Sequence, residues 1–342
     1  DYAAQGRAVT IDDYKSYTKK LFPNTQAVSV WGGEDGSFDT STGVSSNPEY
    51  GKVFISIKST TGENLTTEQK SNLVTAFAPF KVASITPVIV DPEVTFIILN
   101  TNFQFDSTAT TSTATELASL VNTTISNYNT TDLEEFNNVF RHSKLLRLID
   151  ETDSSILNNT TTVTMGKFFT PVVGSSSYNI NFNNSFFNPH SGHNSDAGGV
   201  IASTGFYLDN DLTTEYFFDD DGAGNLRIYS LSAAGVRTYL NSTAGTVDYV
   251  NGLISTGTLN ITAVSNVDGS SSTKIRVTVI PKSNDVVPVR NQILEIDLVN
   301  STISGSVDAQ ATTGKGYTVT STGTTTTTSV TTTSSTPTSS AY

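Results

Sequence analysis

The stretch "GRAVTIDDYKSYTKKLFP" (residues 6–23) contains the start, the body and the end of one amphipathic helix. Thr10 is a favourable N-cap residue, and the carboxylate of Asp13 stands where it can reach back to the cap. Pro23 stops the helix. The apolar stripe recurs at three- and four-residue steps and consists of Ile11, Tyr14, Tyr17, Thr18 and Leu21. We therefore expect a helix over 10–22 that lies beside a strand over 26–31.

The sequence that follows continues this alternation of helices and strands. "GKVFISIK" (51–58) is typical of a strand, and "LTTEQK" (65–70) begins a helix with a capping box between Thr66 and Gln69. A further strand is predicted over 82–90. The order helix, strand, strand, helix, strand predicts a ferredoxin-like split-βαβ module over residues 1–90.

Residues 91–169 indicate a second module of the same class. "DPEVTFIILNTNFQF" (91–105) predicts a long strand, and Thr113 with Glu116 predicts the cap of the next helix. We expect another helix over 132–148 and a strand that ends near residue 169. These elements again predict helices packed on one sheet.

Helical periodicity disappears after residue 170, and short strands alternate with turn signals up to about residue 312. This spacing predicts a mainly antiparallel, β-sandwich-like module. Residues 313–342 form a Thr/Ser-rich tail, which we expect to be extended and held by a neighbouring chain or a sheet edge. The predicted fold class is therefore α+β: ferredoxin-like units, then a β module, then the tail.

The composition excludes several classes of function. The formal charge of −13 makes nucleic acid a poor partner, because phosphate binding needs a basic face. The chain has no cysteine, which excludes disulfides and thiolate chemistry. No apolar run approaches the roughly 18 residues of a membrane-spanning helix. The chain begins at Asp1 and not at Met, so we expect a fragment or a processed product.

"HSGHNSD" (190–196) is the nearest approach to a metal-binding motif in the sequence. His190, His193 and Asp196 have donor atoms at a spacing that a zinc ion can use. The alternative is a polar surface loop between strands, and we favour it because no HExxH helix accompanies the histidines. No cofactor is expected.

"DDDGAGN" (219–225) raises the question of a calcium loop. The fifth position is Ala223 and the twelfth is Ser230, where an EF-hand needs an oxygen ligand and a bidentate Glu. The motif therefore fails, and a hairpin turn is the better interpretation.

The basic cluster formed by Arg141, His142, Lys144 and Arg147 has two interpretations. It either complements the carboxyl end of a helix or forms a docking face for an acidic neighbour. No nucleophile, base and orienting group can be assembled elsewhere, and no phosphate-binding loop or Gly-x-Ser-x-Gly motif occurs. The sequence thus gives no sign of an enzyme.

Several of the stretches quoted above occur together in one known family. The opening stretch, followed by "VSVWGGED" (28–35), "YGKVFISIK" (50–58) and "ITPVIVDPEVTFI" (85–97), resembles the baseplate wedge proteins of contractile-tailed bacteriophages. The similarity is to the large inner wedge subunit of the baseplate-J-like group. It covers residues 6–105 and, more loosely, 200–260.

This resemblance implies a non-enzymatic structural role in the virion, after assembly in the host cytoplasm. Such subunits pair and close into a six-fold inner ring around the tail hub, hold other wedge proteins and sheath-initiating proteins, and relay a change in the ring to sheath contraction. We expect Tyr, Phe and Arg residues near 32–50 and 132–148 in the contacts, since such residues dominate interface energies. The candidates are Arg7, Trp31, Tyr50, Arg141, Lys144 and Arg147.

Two other functions are compatible with parts of the sequence. A bacterial surface adhesin or carbohydrate-binding β module would fit the Thr-rich tail and the β half, although the capped helices near the start do not favour it. A metallohydrolase built on His190 and His193 is the third alternative.

Overall fold

The computed structural model of the chain describes residues 6–35, 48–62, 64–193, 199–289 and 291–308. These residues form two compact units. Of the described residues, the larger unit comprises those within 6–99, 126–142 and 163–301, and the smaller unit comprises those within 100–125, 143–162 and 302–308. The tail predicted over 313–342 lies outside the described residues.

The N-terminal part of the larger unit has the predicted order of helices and strands. Both predicted capping boxes form: Thr10 with Asp13, and Thr66 with Gln69. The first helix buries Tyr14, Tyr17 and Thr18, whereas Ile11 is half exposed. The elements are α1 (Ile11–Leu21), β1 (Thr25–Gly32), β2 (Lys52–Ser59), α2 (Thr67–Ala76) and β3 (Thr86–Val90).

The topology of this three-stranded sheet differs from the predicted split-βαβ arrangement. The strand order is β1-β2-β3, with β1 antiparallel to β2 and β2 parallel to β3. A split unit would place another strand between β2 and β3. The α2 crossover instead returns the chain directly to the neighbouring position, as in an ordinary βαβ unit.

A six-stranded sheet contains strands from two stretches that the sequence assigned to separate modules, 91–169 and 170–312. The order is β15-β4-β5-β14-β7, and a further strand, β16, also pairs with β4. The predicted long strand after residue 91 is confirmed. The bounds are β4 (Glu93–Phe105), β5 (Ile156–Phe169), β7 (Ile201–Ser203), β14 (Ile275–Val279), β15 (Gln292–Ile296) and β16 (Thr302–Val307).

The remaining strands form a seven-stranded antiparallel sheet in the order β13-β8-β9-β10-β11-β12-β6. The short strands expected between 206 and 264 are present. β6 and the first half of β11 are additional strands, which no alternating pattern indicates. The bounds are β6 (Asn179–Asn181), β8 (Phe206–Leu208), β9 (Tyr216–Asp220), β10 (Asn225–Leu231), β11 (Arg237–Asp248), β12 (Leu253–Thr256) and β13 (Ile261–Val264).

The helix predicted over 132–148 is confirmed only from residue 142 onward, and its first part is wrong. The preceding helix, α3 (Ala114–Tyr128), continues through a π-helical turn at Asn129–Leu133, and the next helix, α4 (His142–Asp150), begins only at residue 142. Asn137 has a φ of 67°, in the left-handed region that no helix interior tolerates. The cap predicted at Thr113 and Glu116 does form.

Candidate interaction surfaces

The predicted contact residues of the N-terminal module differ in accessibility. Tyr50 is 81% exposed at the turn before β2, and Arg7 is also exposed. Trp31 is only 7% exposed, and its ring stacks on Phe54 with 5.7 Å between centroids. The tryptophan therefore belongs to the packing of its own sheet, whereas Tyr50 is accessible to a partner.

Arg141 is engaged within its own chain. Its Nη1 lies 2.8 Å from Oδ2 of Asp285, while the His142 N–H donates to Oδ1 of the same carboxylate at 2.9 Å. Burial raises the pKa of Asp285, but the hydrogen bonds from Arg141 and His142 outweigh it, and the net shift is downward. Asp285 thus serves as the acceptor at the beginning of α4.

The other members of the basic cluster lie on α4 itself. Arg147 and Glu151 form an exposed pair, with 3.6 Å between Nη1 and Oε1, and Lys144 is half-buried. Exposed pairs of this kind contribute little to stability. Arg147 is therefore a side chain that a partner can engage at small cost.

The two histidines of "HSGHNSD" contact one another. Nδ1 of His193 lies 3.2 Å from Nε2 of His190, and the rings meet edge to face. Asp196 lies outside the described residues. In the described part of the chain no three His, Asp or Glu side chains are arranged to hold a metal ion.

The hairpin predicted at Asp219–Asn225 is confirmed, since β9 and β10 pair directly across it. Asp221 organises the turn, because its Oδ1 accepts the N–H groups of Ala223 and Asn225 at 2.8 and 2.9 Å. The adjacent carboxylates, which the sequence did not single out, have a different role.

Asp219 is a buried carboxylate that receives several charged and polar donors. Nε of Arg227 donates to it at 2.8 Å, Nη1 of Arg237 at 2.6 Å, and the Tyr239 hydroxyl at 2.9 Å. Each guanidinium also lies over a tyrosine ring: Arg227 over Tyr239 at 4.4 Å, and Arg237 over Tyr229 at 4.5 Å. This cluster, named here the Asp219 cluster, joins β9, β10 and β11 through side chains as well as backbone.

Asp220 extends the same buried polar region toward β7. Its Oδ1 accepts the N–H groups of Val200 and Ile201, at 3.1 and 2.9 Å, and its Oδ2 accepts the Tyr249 hydroxyl at 2.7 Å. Burial and then the hydrogen bond to Asp220 raise the pKa of Tyr249 strongly. The phenol stays protonated and acts as a fixed donor.

A second ionic cluster joins the N-terminal module to the rest of the larger unit. Lys58 is buried on β2, and its Nζ lies 3.3 Å from Oε2 of Glu295 on β15 and 3.7 Å from Oε2 of Glu134. Gln26 on β1 donates to Glu134 at 2.6 Å, and Asn129 donates to it at 2.7 Å. These contacts fix the module within the unit through charge-assisted hydrogen bonds.

The hairpin formed by β10 and β11 has an apolar end. Leu231, Val236 and Leu240 are each about half exposed or more. Exposed apolar side chains indicate an interaction site when they form a contiguous patch, whereas single exposed apolar residues need no explanation. No helix in the described part of the chain is long and apolar enough to cross a membrane.

Comparisons with known proteins give matches over the first half of the chain. Residues 10–90 match the family described as "Baseplate structural protein gp6, C-terminal domain I", and residues 93–167 match "Baseplate structural protein gp6, C-terminal domain III". The chain is also 30% identical over 162 residues to the baseplate wedge protein gp6 of Enterobacteria phage T4. That alignment covers 47% of this chain and 23% of the relative, so the chain matches about a quarter of the relative's length.

Proposed function

We propose that this chain is a structural protein of a phage tail baseplate, a wedge-like subunit without catalytic activity. The observation that supports this most is the agreement between the family matches and the elements. The first match, 10–90, coincides with α1 to β3, and the second, 93–167, coincides with β4 to β5. Two adjacent matches to domains of one baseplate protein are stronger support than either match alone.

The chemistry of the described residues fits a scaffold. Within the Asp219 cluster, the buried carboxylate is paired with Arg227 and Arg237. Within the second ionic cluster, Lys58 is paired with Glu134 and Glu295. Pairing of this kind fixes strands in place and leaves no activated nucleophile or base. The exposed groups, Tyr50, Arg147 and the apolar hairpin end, are of the kinds that interfaces use.

The finer proposal follows the family resemblance. The subunit would be the large inner wedge protein of the baseplate-J-like group, paired with itself in a ring around the tail hub. It would contact other wedge proteins and sheath-initiating proteins and relay a change in the ring to sheath contraction. Its place would be the virion baseplate, after assembly in the host cytoplasm.

The test is co-assembly of the purified chain with the other baseplate proteins of the same phage. We expect Tyr50→Ala to weaken association about ten-fold or more, since truncation of an interface hot-spot aromatic costs roughly 2 kcal/mol or more. Leu212→Ala, at another exposed apolar position, is the matched control and should leave association unchanged. Failure of the unmodified chain to join any baseplate protein would contradict the proposed function.

A second candidate function, a carbohydrate-binding β module, is favoured by one cavity. A cleft of about 810 Å³ lies beside β6 in the larger unit. Its walls contain Phe96, Phe168 and Phe169 together with Asn179 and Asn181, and aromatic and amide side chains suit sugar rings and hydroxyls. A glycan panel probed with the chain and with Phe169→Ala tests this function, which requires binding that the substitution abolishes.

A further inference from the structure

Within the described residues, β16 is an edge strand of the smaller unit. It pairs in parallel with β4, from Thr302 opposite Asn100 to Val307 opposite Phe105. Among the residues that the structure describes, no strand pairs with its other side. The Asp308 N–H donates to the Phe105 carbonyl at 2.9 Å, so even-numbered residues direct their backbone groups toward β4. Ile303, Gly305 and Val307 therefore direct theirs outward.

This edge carries none of the devices that usually protect an edge strand from pairing with another chain. Such devices are lysines, prolines, bulges and inward-pointing charges. Residues 302–307 read "TISGSV", with no charge and no proline, and their register against β4 has no shift. The edge is thus available for strand addition.

The outer face next to this edge is uncharged over residues 302–306, and its nearest charge is Asp308 at the end of the strand, although the whole chain carries a formal charge of −13. Thr302 donates to Oδ1 of Asn100 at 2.9 Å, and Asn158 donates to Oε1 of Gln104 at 3.1 Å. The same face carries other side chains without charge: Asn102, Ser304 and Ser306. A second negatively charged copy can approach here without direct like-charge repulsion.

The three residues whose backbone groups point outward can pair with the same three residues of a second copy when the pairing is centred on Gly305. In an antiparallel pair of two β16 strands, Gly305 faces Gly305 of the second copy, and Ile303 faces Val307 of the second copy. Val307 is 51% exposed, and this pairing would cover it. Glycine is needed at 305, because a Cβ there would overlap the Phe103 ring.

We propose that two copies of the chain join edge to edge through β16, antiparallel and centred on Gly305, so that one sheet continues across a two-fold axis. The proposal rests on the self-association in the proposed function and assigns it a surface. The strand is short, so the contact is weak alone and gains strength when other contacts hold the copies together.

Cysteine crosslinking tests the register, since the chain has no cysteine of its own. In this pairing Ser304 faces Ser306 of the second copy at a non-hydrogen-bonded position, where Cα atoms are roughly 4.5 Å apart and a disulfide fits. We expect a mixture of Ser304→Cys and Ser306→Cys chains to form oxidised dimers at least ten-fold faster than either variant alone. Equal rates would overturn the proposal.

A second comparison separates backbone pairing from mere proximity. Val307→Pro removes an outward N–H without touching the ladder to β4, and we expect it to abolish the crosslink in the mixture. Val307→Thr keeps the N–H and should retain the crosslink. If the chain self-associates in sedimentation but the Val307→Pro and Val307→Thr mixtures crosslink at the same rate, the proposed β16 contact is contradicted while the proposed function stands.

Discussion

At the residue scale, Asp219 shows why a buried carboxylate can be missed in the sequence. It lies in "DDDGAGN", which is notable as a turn, but its partners Arg237 and Tyr239 lie on the half of β11 that no alternation indicated. The pairing depends on the register between three strands, and local sequence does not encode that register. Residue type alone selected both Tyr50, which is exposed, and Trp31, which is buried, so it does not predict exposure.

Asp219→Asn should destabilise the fold by roughly 3 kcal/mol or more, because it leaves two guanidinium groups near a neutral, buried amide. Denaturant unfolding measures the loss. Asp209→Asn removes the same charge at an exposed position whose φ of 52° suits asparagine, and it should cost far less. Equal costs would show that the Asp219 cluster is not a stabilising feature.

At the element scale, helix beginnings were predictable and strand partners were not. The capping pairs Thr10–Asp13, Thr66–Gln69 and Thr113–Glu116 act within four residues, so the sequence shows them directly. β7 and β16 are short edge strands, and nothing local distinguishes them from loops. The first part of the helix predicted over 132–148 does not form, because Asn137 adopts a left-handed backbone conformation that the apolar spacing does not reveal.

The helix caps predict a specific acid sensitivity. The backbone N–H and the hydroxyl of Thr10 hold the pKa of Asp13 below its usual value, and those of Thr113 do the same for Glu116. A depressed folded-state pKa gives stability that is present above the unfolded pKa of about 4 and is lost as pH falls through the folded value. The melting temperature should therefore decrease as the pH is lowered below about 4.

The matched variant for this prediction carries Asp13→Asn and Glu116→Gln together. Its melting temperature should start lower at pH 7 and fall less between pH 5 and pH 3 than that of the unmodified chain. Parallel curves for the two proteins would show that these caps do not contribute to the acid response.

At the scale of the whole molecule, the charge of −13 opposes any assembly of like copies. Association must then depend on uncharged or apolar surfaces, such as β16 and the end of the β10–β11 hairpin. The sequence predicted the α+β class and the β-rich second half, because composition and periodicity determine both. It did not show that β4 and β5 share a sheet with β14 and β15, since β14 pairs with residues of β5 about 110 positions away and β15 with residues of β4 about 200 positions away.

Salt should strengthen self-association if charge repulsion controls it. At 0.5 M salt the screening length falls to roughly 4 Å, from about 10 Å at 0.1 M. We expect the dissociation constant measured by sedimentation to decrease across this range. A constant that rises or stays level would show that repulsion is not the controlling force.

The proposed baseplate role is tested most directly by quantitative mass spectrometry of purified phage tails separated into baseplate and sheath fractions. We expect peptides of this chain to occur in the baseplate fraction in fixed proportion to the other wedge proteins. Absence from the virion, or presence only in the sheath or capsid fractions, would contradict it.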